Sequence, residues 1–202
     1  MPANPTDQGF EEPPWLAELD AEAWIDAIPP EATMSGLFLS AVARAVPRGT
    51  KLPGARSTYT AFRRYPLREH CSLLVEAARL LFPDRSLREG LRRLGRGAPR
   101  TLLGSMLGRV VLGSVEGPSE LVRAMAKSYP LHMSPGSLTV TEDEPGRMVL
   151  ALRDIHHFLD SHNVGVFEGV LRHAGVEDAS VRIRSVSTAD ADLLCTWTIG
   201  PR

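Results

Sequence analysis

Apolar residues recur at helical spacing through the first two thirds of the chain. Two stripes are the clearest. The first consists of Met34, Leu37, Phe38, Ala41, Val42 and Ala45. The second consists of Leu67, Cys71, Leu74, Val75, Ala78, Leu81 and Phe82. Each stripe covers one face of a helix, and Pro66 and Pro83 bound the second, which we therefore predict to be the central helix.

Two shorter helices are predicted on either side of these stripes. Apolar residues at helical spacing over residues 15–28 precede a Pro-Pro pair, which stops a helix. Ser86 and Glu89 have the spacing of a capping box and open another helix. We expect that helix to end near Gly95 or Gly97, because glycine commonly follows the last helical residue.

Two more helices are predicted before the pattern changes at Pro130. A stripe over residues 102–111 contains Gly104 and Gly108 one turn apart, a spacing that lets another element approach closely. Ser119 is a suitable cap for a further helix. We expect this last helix to finish before Pro130, because the residue ahead of a proline disfavours helical geometry.

The period falls to two in the C-terminal third. Alternation over residues 138–152, interrupted by a turn, predicts a β-hairpin, and residues 166–174 return to helical spacing. Residues 181–183 and 193–199 complete a β-β-α-β-β order. We therefore predict an α+β fold in which an N-terminal multi-helix cap packs on a four-stranded antiparallel sheet.

Length and composition indicate how many domains the chain forms. The 202 residues are 43% hydrophobic and 23% charged, which suits one domain over residues 15–202 behind a flexible tail of residues 1–14. The net charge of -1 gives no overall attraction to nucleic acid. No apolar run has the ~18 residues of a membrane span, and no secretory signal opens the chain. We expect a cytoplasmic protein whose Cys71 and Cys195 are buried thiols.

Several segments resemble a known family. They are PPEATMSGLFLSAVARAV (29–46), YPLREHCSLLVEAARLLFP (65–83), SLREGLRRLGR (86–96), LLGSMLGRVV (102–111), FEGVLRHAG (167–175) and CTWTI (195–199). They are similar to an uncharacterised domain family of about this length that is expanded as paralogues in myxobacteria. The G-x-F-E-G-x-L pattern from Gly165 to Leu171 resembles, at the level of the fold, the C-terminal half of H-NOX, vinyl-reductase-type and TRAPP-subunit domains.

The resemblance implies a helical cap on an antiparallel sheet, in a superfamily that binds haem, hydrocarbons or acyl chains, or serves in assemblies. H-NOX domains hold haem with a proximal histidine and a Tyr-x-Ser-x-Arg clamp on the propionates. This chain has no Tyr-x-Ser-x-Arg, and its nearest stretch, Tyr129 to Met133, reads Tyr-Pro-Leu-His-Met. We therefore expect no haem and no other cofactor.

Apolar side chains of the last strand, the last helix and the central helix are candidates for a ligand pocket between cap and sheet. They are Leu74, Leu81, Phe167, Cys195 and Trp197. Such a pocket would suit a small hydrophobic ligand. The same residues would equally serve a close-packed core.

Arg88, Arg92 and Arg96 fall on one helix face at i+4 spacing. Guanidinium groups recognise carboxylates and phosphates, so this face is a candidate surface for an anionic ligand or an acidic partner. The alternative is the solvated face of an amphipathic helix. No aromatic residue interleaves with the arginines, so we do not expect nucleic acid as a partner.

His156, His157 and His162 crowd the loop before the last helix, with Asp154 and Asp160 beside them. Imidazole and carboxylate together can ligate zinc or iron, or move protons. The alternative is a polar loop, because the cluster lacks the regular spacing of a closed zinc site. We find no nucleophile elbow, phosphate loop or acid/base pair, and assign no catalytic residue.

We therefore interpret the chain as a non-enzymatic ligand-binding or sensory module. The alternative is a protein-interaction or assembly subunit with a packed core, and either form is compatible with a homodimer. A third hypothesis, a metal-dependent enzyme that uses the histidine loop, requires stoichiometric metal.

Overall fold

The computed structural model describes residues 13–104, 115 and 117–199, with helices in the first part and a sheet in the last. The helices are α1 (Ala21–Asp26), α2 (Gly36–Ala45), α3 (Leu67–Leu81), α4 (Leu87–Gly104), α5 (Pro118–His132) and α6 (His162–His173). The strands are β1 (Thr33–Ser35), β2 (Arg64–Pro66), β3 (Met133–Ser134), β4 (Ser137–Glu144), β5 (Arg147–Arg153), β6 (Ser180–Val186) and β7 (Ala191–Thr196).

The C-terminal strands form an antiparallel sheet in the order β4-β5-β7-β6, with α6 between the two strand pairs along the chain. The predicted α+β class and β-β-α-β-β order are confirmed. A second, three-stranded sheet in the order β2-β1-β3 was not predicted. Its strands have two or three residues each, too few for an alternating pattern to be visible in the sequence.

The predicted apolar stripe of α3 lies on its buried face. Of the predicted α2 stripe only Val42 is buried within the helix, and the fully buried Leu39 was not part of the prediction. The Ser35 hydroxyl accepts a hydrogen bond from the Leu37 amide at the start of α2, and α3 begins directly after Pro66. Ser86 accepts a hydrogen bond from the Glu89 amide at 3.2 Å, as expected of a cap before α4. At the end of α6, Gly175 adopts a positive φ of 84°, a conformation that favours glycine.

Three predicted helix boundaries are wrong. α1 covers only Ala21–Asp26 of the predicted residues 15–28. α4 does not end near Gly95 or Gly97 but continues to Gly104 with Pro99 inside it, and α5 likewise contains Pro130. Tertiary packing overrides the local preference of proline in both helices, because each is held against neighbouring elements.

Close contact between α4 and α6 explains why glycine sits inside both helices. A Cβ at Gly165 would meet the carbonyl oxygen of Arg92, and one at Gly169 would meet that of Arg96. A Cβ at Gly95 would meet the carbonyl oxygen of His162. Glycine at these positions therefore permits backbone contact between the two helices, the role that the sequence suggested for Gly104 and Gly108.

The apolar interior has two parts, and the partly buried Trp24, Phe38 and Met133 pack against both. One lies between the four-stranded sheet and helices α5 and α6, and the other lies among α1 to α4. Most of the predicted tail of residues 1–14 and most of the predicted stripe of residues 102–111 lie outside the described residues.

Candidate ligand cavity and buried histidine cluster

A cavity of about 270 Å³ lies where the helices meet the sheet. Apolar side chains from helices α2 to α6, from β1 and from the four-stranded sheet form most of its wall. Among them are Met34, Phe38, Val42, Leu74, Met125, Leu138, Leu152 and Phe167. Its volume is close to the ~300 Å³ lower limit of typical small-molecule sites, so it can hold a compact ligand.

The predicted ligand-binding residues divide between the cavity and other parts of the interior. Leu74 and Phe167 line the cavity, whereas Leu81, Cys195 and Trp197 are not among its described lining residues. Cys195 is fully buried on β7. Burial, and secondarily the Glu168 carboxylate, raises the pKa of the Cys195 thiol to about 12.

Three buried histidines from separate segments meet at one end of the cavity. His70 comes from α3, His157 from the loop after β5, and His162 from the first turn of α6. His157 Nε2 lies 3.1 Å from His70 Nδ1, and the rings of His157 and His162 lie 4.6 Å apart. Asn163 Nδ2 lies 3.2 Å from His157 Nδ1 and fixes that ring from the other side.

The structure alters the predicted histidine set in one position. His157 and His162 enter the cluster, but the His156 ring is hydrogen-bonded to Asp154 at 2.9 Å. His70, which the sequence did not single out, contributes the third ring. Asp160, one of the predicted companions, is buried and forms an ion pair with Arg88 instead.

Two imidazole nitrogens of the cavity wall have no hydrogen-bond partner in the described part of the chain. They are His132 Nε2 and His162 Nδ1, and their residues are only 6% and 5% exposed. Buried polar atoms almost always have a partner, and a missing one costs about 1–3 kcal/mol. These nitrogens are therefore the polar groups of the wall that a bound ligand or ion would satisfy.

Burial keeps the cavity histidines neutral. Desolvation lowers the pKa values of His70 and His162 well below the usual range and lowers the pKa of His157 to about 4. The pKa of His132 is lowered by burial and then by the Arg64 charge. Burial also raises the pKa of Tyr129, which lines the same cavity. Apart from Arg93, the described wall is thus an uncharged surface with several hydrogen-bonding atoms.

These lowered pKa values predict acid destabilisation of the metal-free chain. In the unfolded chain the imidazoles bind protons below pH 6.5, but the folded chain holds His157 neutral down to about pH 4. The free energy of unfolding is therefore highest above pH 6.5. It decreases as the pH falls towards 4, by roughly 1 kcal/mol per pH unit for each such histidine. Urea unfolding in the presence of chelator measures this loss; an unchanged midpoint from about pH 7 to pH 4.5 would contradict it.

The predicted arginine surface is mostly internal. Arg88 and Arg92 are buried, and Arg88 lies 2.8 Å from Asp160. Arg92 and Arg96 both pair with Glu168 on α6. The expectation of a solvent-facing surface is therefore wrong for Arg88 and Arg92, because their carboxylate partners come from the distant segment that packs against α4.

Comparison with known proteins places the chain in a family. A family model described as a protein of unknown function, DUF2378, matches residues 27–198. The chain belongs to the DUF2378 family. A search of curated proteins finds no match for this DUF2378 chain.

Solved structures similar to the DUF2378 chain are H-NOX domains. Unliganded Fe(II) H-NOX from K. algicida has a TM-score of 0.62 at 14% identity, covering 83% of this chain and 98% of that one. H-NOX from S. oneidensis in the Fe(II)NO state has a TM-score of 0.60 at 11% identity, covering 82% and 100%. An oxygen-binding H-NOX domain related to soluble guanylate cyclases has a TM-score of 0.56 at 13% identity, covering 89% and 91%.

At these identities the similarity shows a shared fold, which confirms the fold-level resemblance to H-NOX domains. Among the helices of the described residues, none has the length and apolar character needed to span a membrane.

Proposed function

We propose that this chain is a non-enzymatic ligand-binding or sensory module whose cavity takes a small molecule with an apolar body and one hydrogen-bonding group. The observation that carries the proposal is the apolar cavity of about 270 Å³ with the unpartnered His132 Nε2 in its wall. The apolar side chains would bury the body of the ligand, and the imidazole would fix its polar group.

The fold supports a ligand-binding role. Solved H-NOX domains are described in an Fe(II)NO state and in an oxygen complex, so proteins of this fold hold small molecules. In the present chain a cavity lies where the helical cap meets the sheet. The alternative, an assembly subunit with a packed core, does not account for this cavity or for the polar atom inside it.

Haem is the cofactor that the solved relatives suggest, since two of their structures concern haem distortion. The neutral imidazoles of the wall would suit an iron atom. The propionates would need cations, and Arg93 is the one cationic side chain in the described wall. Its guanidinium is paired with Glu89 at 2.9 Å, so the described residues do not fit haem, and we derive no role for it.

Replacing His132 by phenylalanine separates a structural role of this ring from a ligand-binding one. Phenylalanine keeps the edge contact with Phe38, which now joins ring centroids 5.4 Å apart, and removes the unpartnered nitrogen. We expect His132→Phe to stabilise the ligand-free chain by about 1–3 kcal/mol. We also expect it to retain less ligand through purification, which extraction and mass spectrometry of the two proteins would measure.

His173→Phe is the matched control, because His173 is exposed near the end of α6. It should change neither the urea midpoint nor the amount of ligand retained. If His132→Phe behaved like this control in both measurements, His132 would have no part in binding and the proposal would lose its polar anchor.

A further inference from the structure

We propose that His70, Cys71 and His157 form a zinc site in the cavity wall, with a water molecule at the fourth position of the metal. The site goes beyond the binding of an organic molecule and does not depend on it. It differs from the histidine loop considered in the sequence, because two of its three protein ligands come from the central helix α3.

The geometry brings three ligand atoms together. The nitrogens of His70 and His157 and the sulfur of Cys71 all lie within 4.8 Å of one another, and all three residues are buried. The closest pair, His157 Nε2 and His70 Nδ1, is 3.1 Å apart. Zinc bonds of about 2.0 Å to nitrogen and 2.3 Å to sulfur need ligand atoms at this scale of separation.

A hydrogen bond between the rings of His70 and His157 explains why these two residues lie close together, but it does not explain the buried His162 Nδ1. His162 Nδ1 is buried without a partner in the described chain, although its ring lies 4.6 Å from that of His157. A zinc-bound water at the cluster would give this nitrogen a hydrogen-bond partner and complete a tetrahedral set of two nitrogens, one sulfur and one oxygen.

The chemistry of the set favours zinc over harder ions. Magnesium and calcium prefer oxygen ligands, whereas imidazole and thiolate together suit zinc. The nearby carboxylate of Asp160 is held by Arg88. Zinc binds the neutral form of imidazole, which is the form that burial favours for His70 and His157.

The cavity gives the ion a way in, because His70, His157 and His162 all line it. Without metal, burial raises the pKa of the Cys71 thiol, so the sulfur holds its proton. Binding forms the zinc–sulfur bond and releases that proton to the solvent, while the imidazoles release none. One proton should therefore leave for each zinc ion bound.

The test uses the full chain, stripped of metal with chelator and of organic ligand by refolding. Zinc uptake is measured by equilibrium dialysis and elemental analysis, and Co²⁺ is added as a spectroscopic probe. Cys71→Ser removes the proposed sulfur ligand. Cys195→Ser is the matched control, because Cys195 is an equally buried cysteine outside the cluster.

We expect the wild type and Cys195→Ser to bind one zinc per chain and to show a thiolate-to-Co²⁺ charge-transfer band. Cys71→Ser should lose the band and bind zinc more than about 100-fold more weakly, since losing a ligand exceeds the usual effect of losing an outer-shell partner. Substoichiometric uptake by the folded wild type, or a band that survives in Cys71→Ser, would overturn the proposal.

X-ray absorption at the zinc edge of the wild type gives an answer that needs no variant. The expected shell contains one sulfur at about 2.3 Å and three lighter atoms, nitrogen or oxygen, at about 2.0 Å. A shell without sulfur would overturn the site. Because organic ligand is absent from this sample, the outcome is independent of the ligand-binding proposal.

Discussion

Glu168→Gln is expected to lower the free energy of unfolding by about 3–5 kcal/mol, because it removes the charge from the centre of a buried ion-pair network. The Glu168 carboxylate is 3% exposed and pairs with both Arg92 and Arg96. Glutamine keeps the shape of the side chain and leaves two guanidinium groups facing a neutral amide. Urea unfolding followed by circular dichroism measures the loss.

Glu142→Gln is the matched control for this substitution. Glu142 also bridges two arginines, at 2.6 Å from Arg147 and 3.1 Å from Arg184, but its side chain is 41% exposed. Solvent screens such pairs, so the control should leave the urea midpoint almost unchanged. Equal midpoints for the two variants would mean that the α4–α6 ion pairs are solvated and that our account of this interface is wrong.

Gly165→Ala is expected to destabilise the chain by about 3 kcal/mol or more, the upper end of overpacking costs. The added Cβ would meet backbone atoms of Arg92 in α4, which cannot turn aside as a side chain can. The helices would have to separate, which would also pull Glu168 away from its arginines. Thermal and urea unfolding of the purified variant measure the effect.

For Gly97→Ala, a substitution on α4, we expect the opposite effect on stability. A Cβ at Gly97 meets no described heavy atom within 4 Å, and alanine is favoured over glycine inside a helix by about 0.5–1 kcal/mol. This variant should therefore be more stable than the wild type. Destabilisation of similar size in both variants would show that helix contact does not explain these glycines.

The sequence predicted elements whose apolar pattern is long and regular. The stripe of α3 corresponds to its buried face, and the alternating residues of β4 and β5 form paired strands. β5 is buried on both faces, which its alternating pattern did not predict. Proline and glycine misled the prediction where tertiary contact decides: α4 continues through Pro99, and Gly95 is a contact point with α6 rather than a helix end. The helix-ending preferences of proline and glycine are local, so they could not reveal that α6, about 70 residues further along the chain, packs against α4.

The site was less predictable than the fold, because its groups come from different elements. Leu74, Phe167, His157 and His162 were singled out and line the cavity. His70 could have been noticed, since it lies three residues after Leu67 and four before Leu74, on the buried face of α3. His132 carries no such signal. The burial of Arg88 and Arg92 depends on Asp160 and Glu168, whose approach only the folded chain reveals.

Native mass spectrometry of the wild-type chain, purified without denaturant, tests the central claim most directly. The account predicts a native mass that exceeds the denatured mass by one small organic molecule per chain, recovered in an organic extract of the same sample. Bound metal is distinguished because it stays out of that extract, and the same spectrum reports whether the chain is a dimer. A native mass equal to that of the polypeptide, with or without metal, and an empty extract would contradict the claim that the cavity holds a ligand.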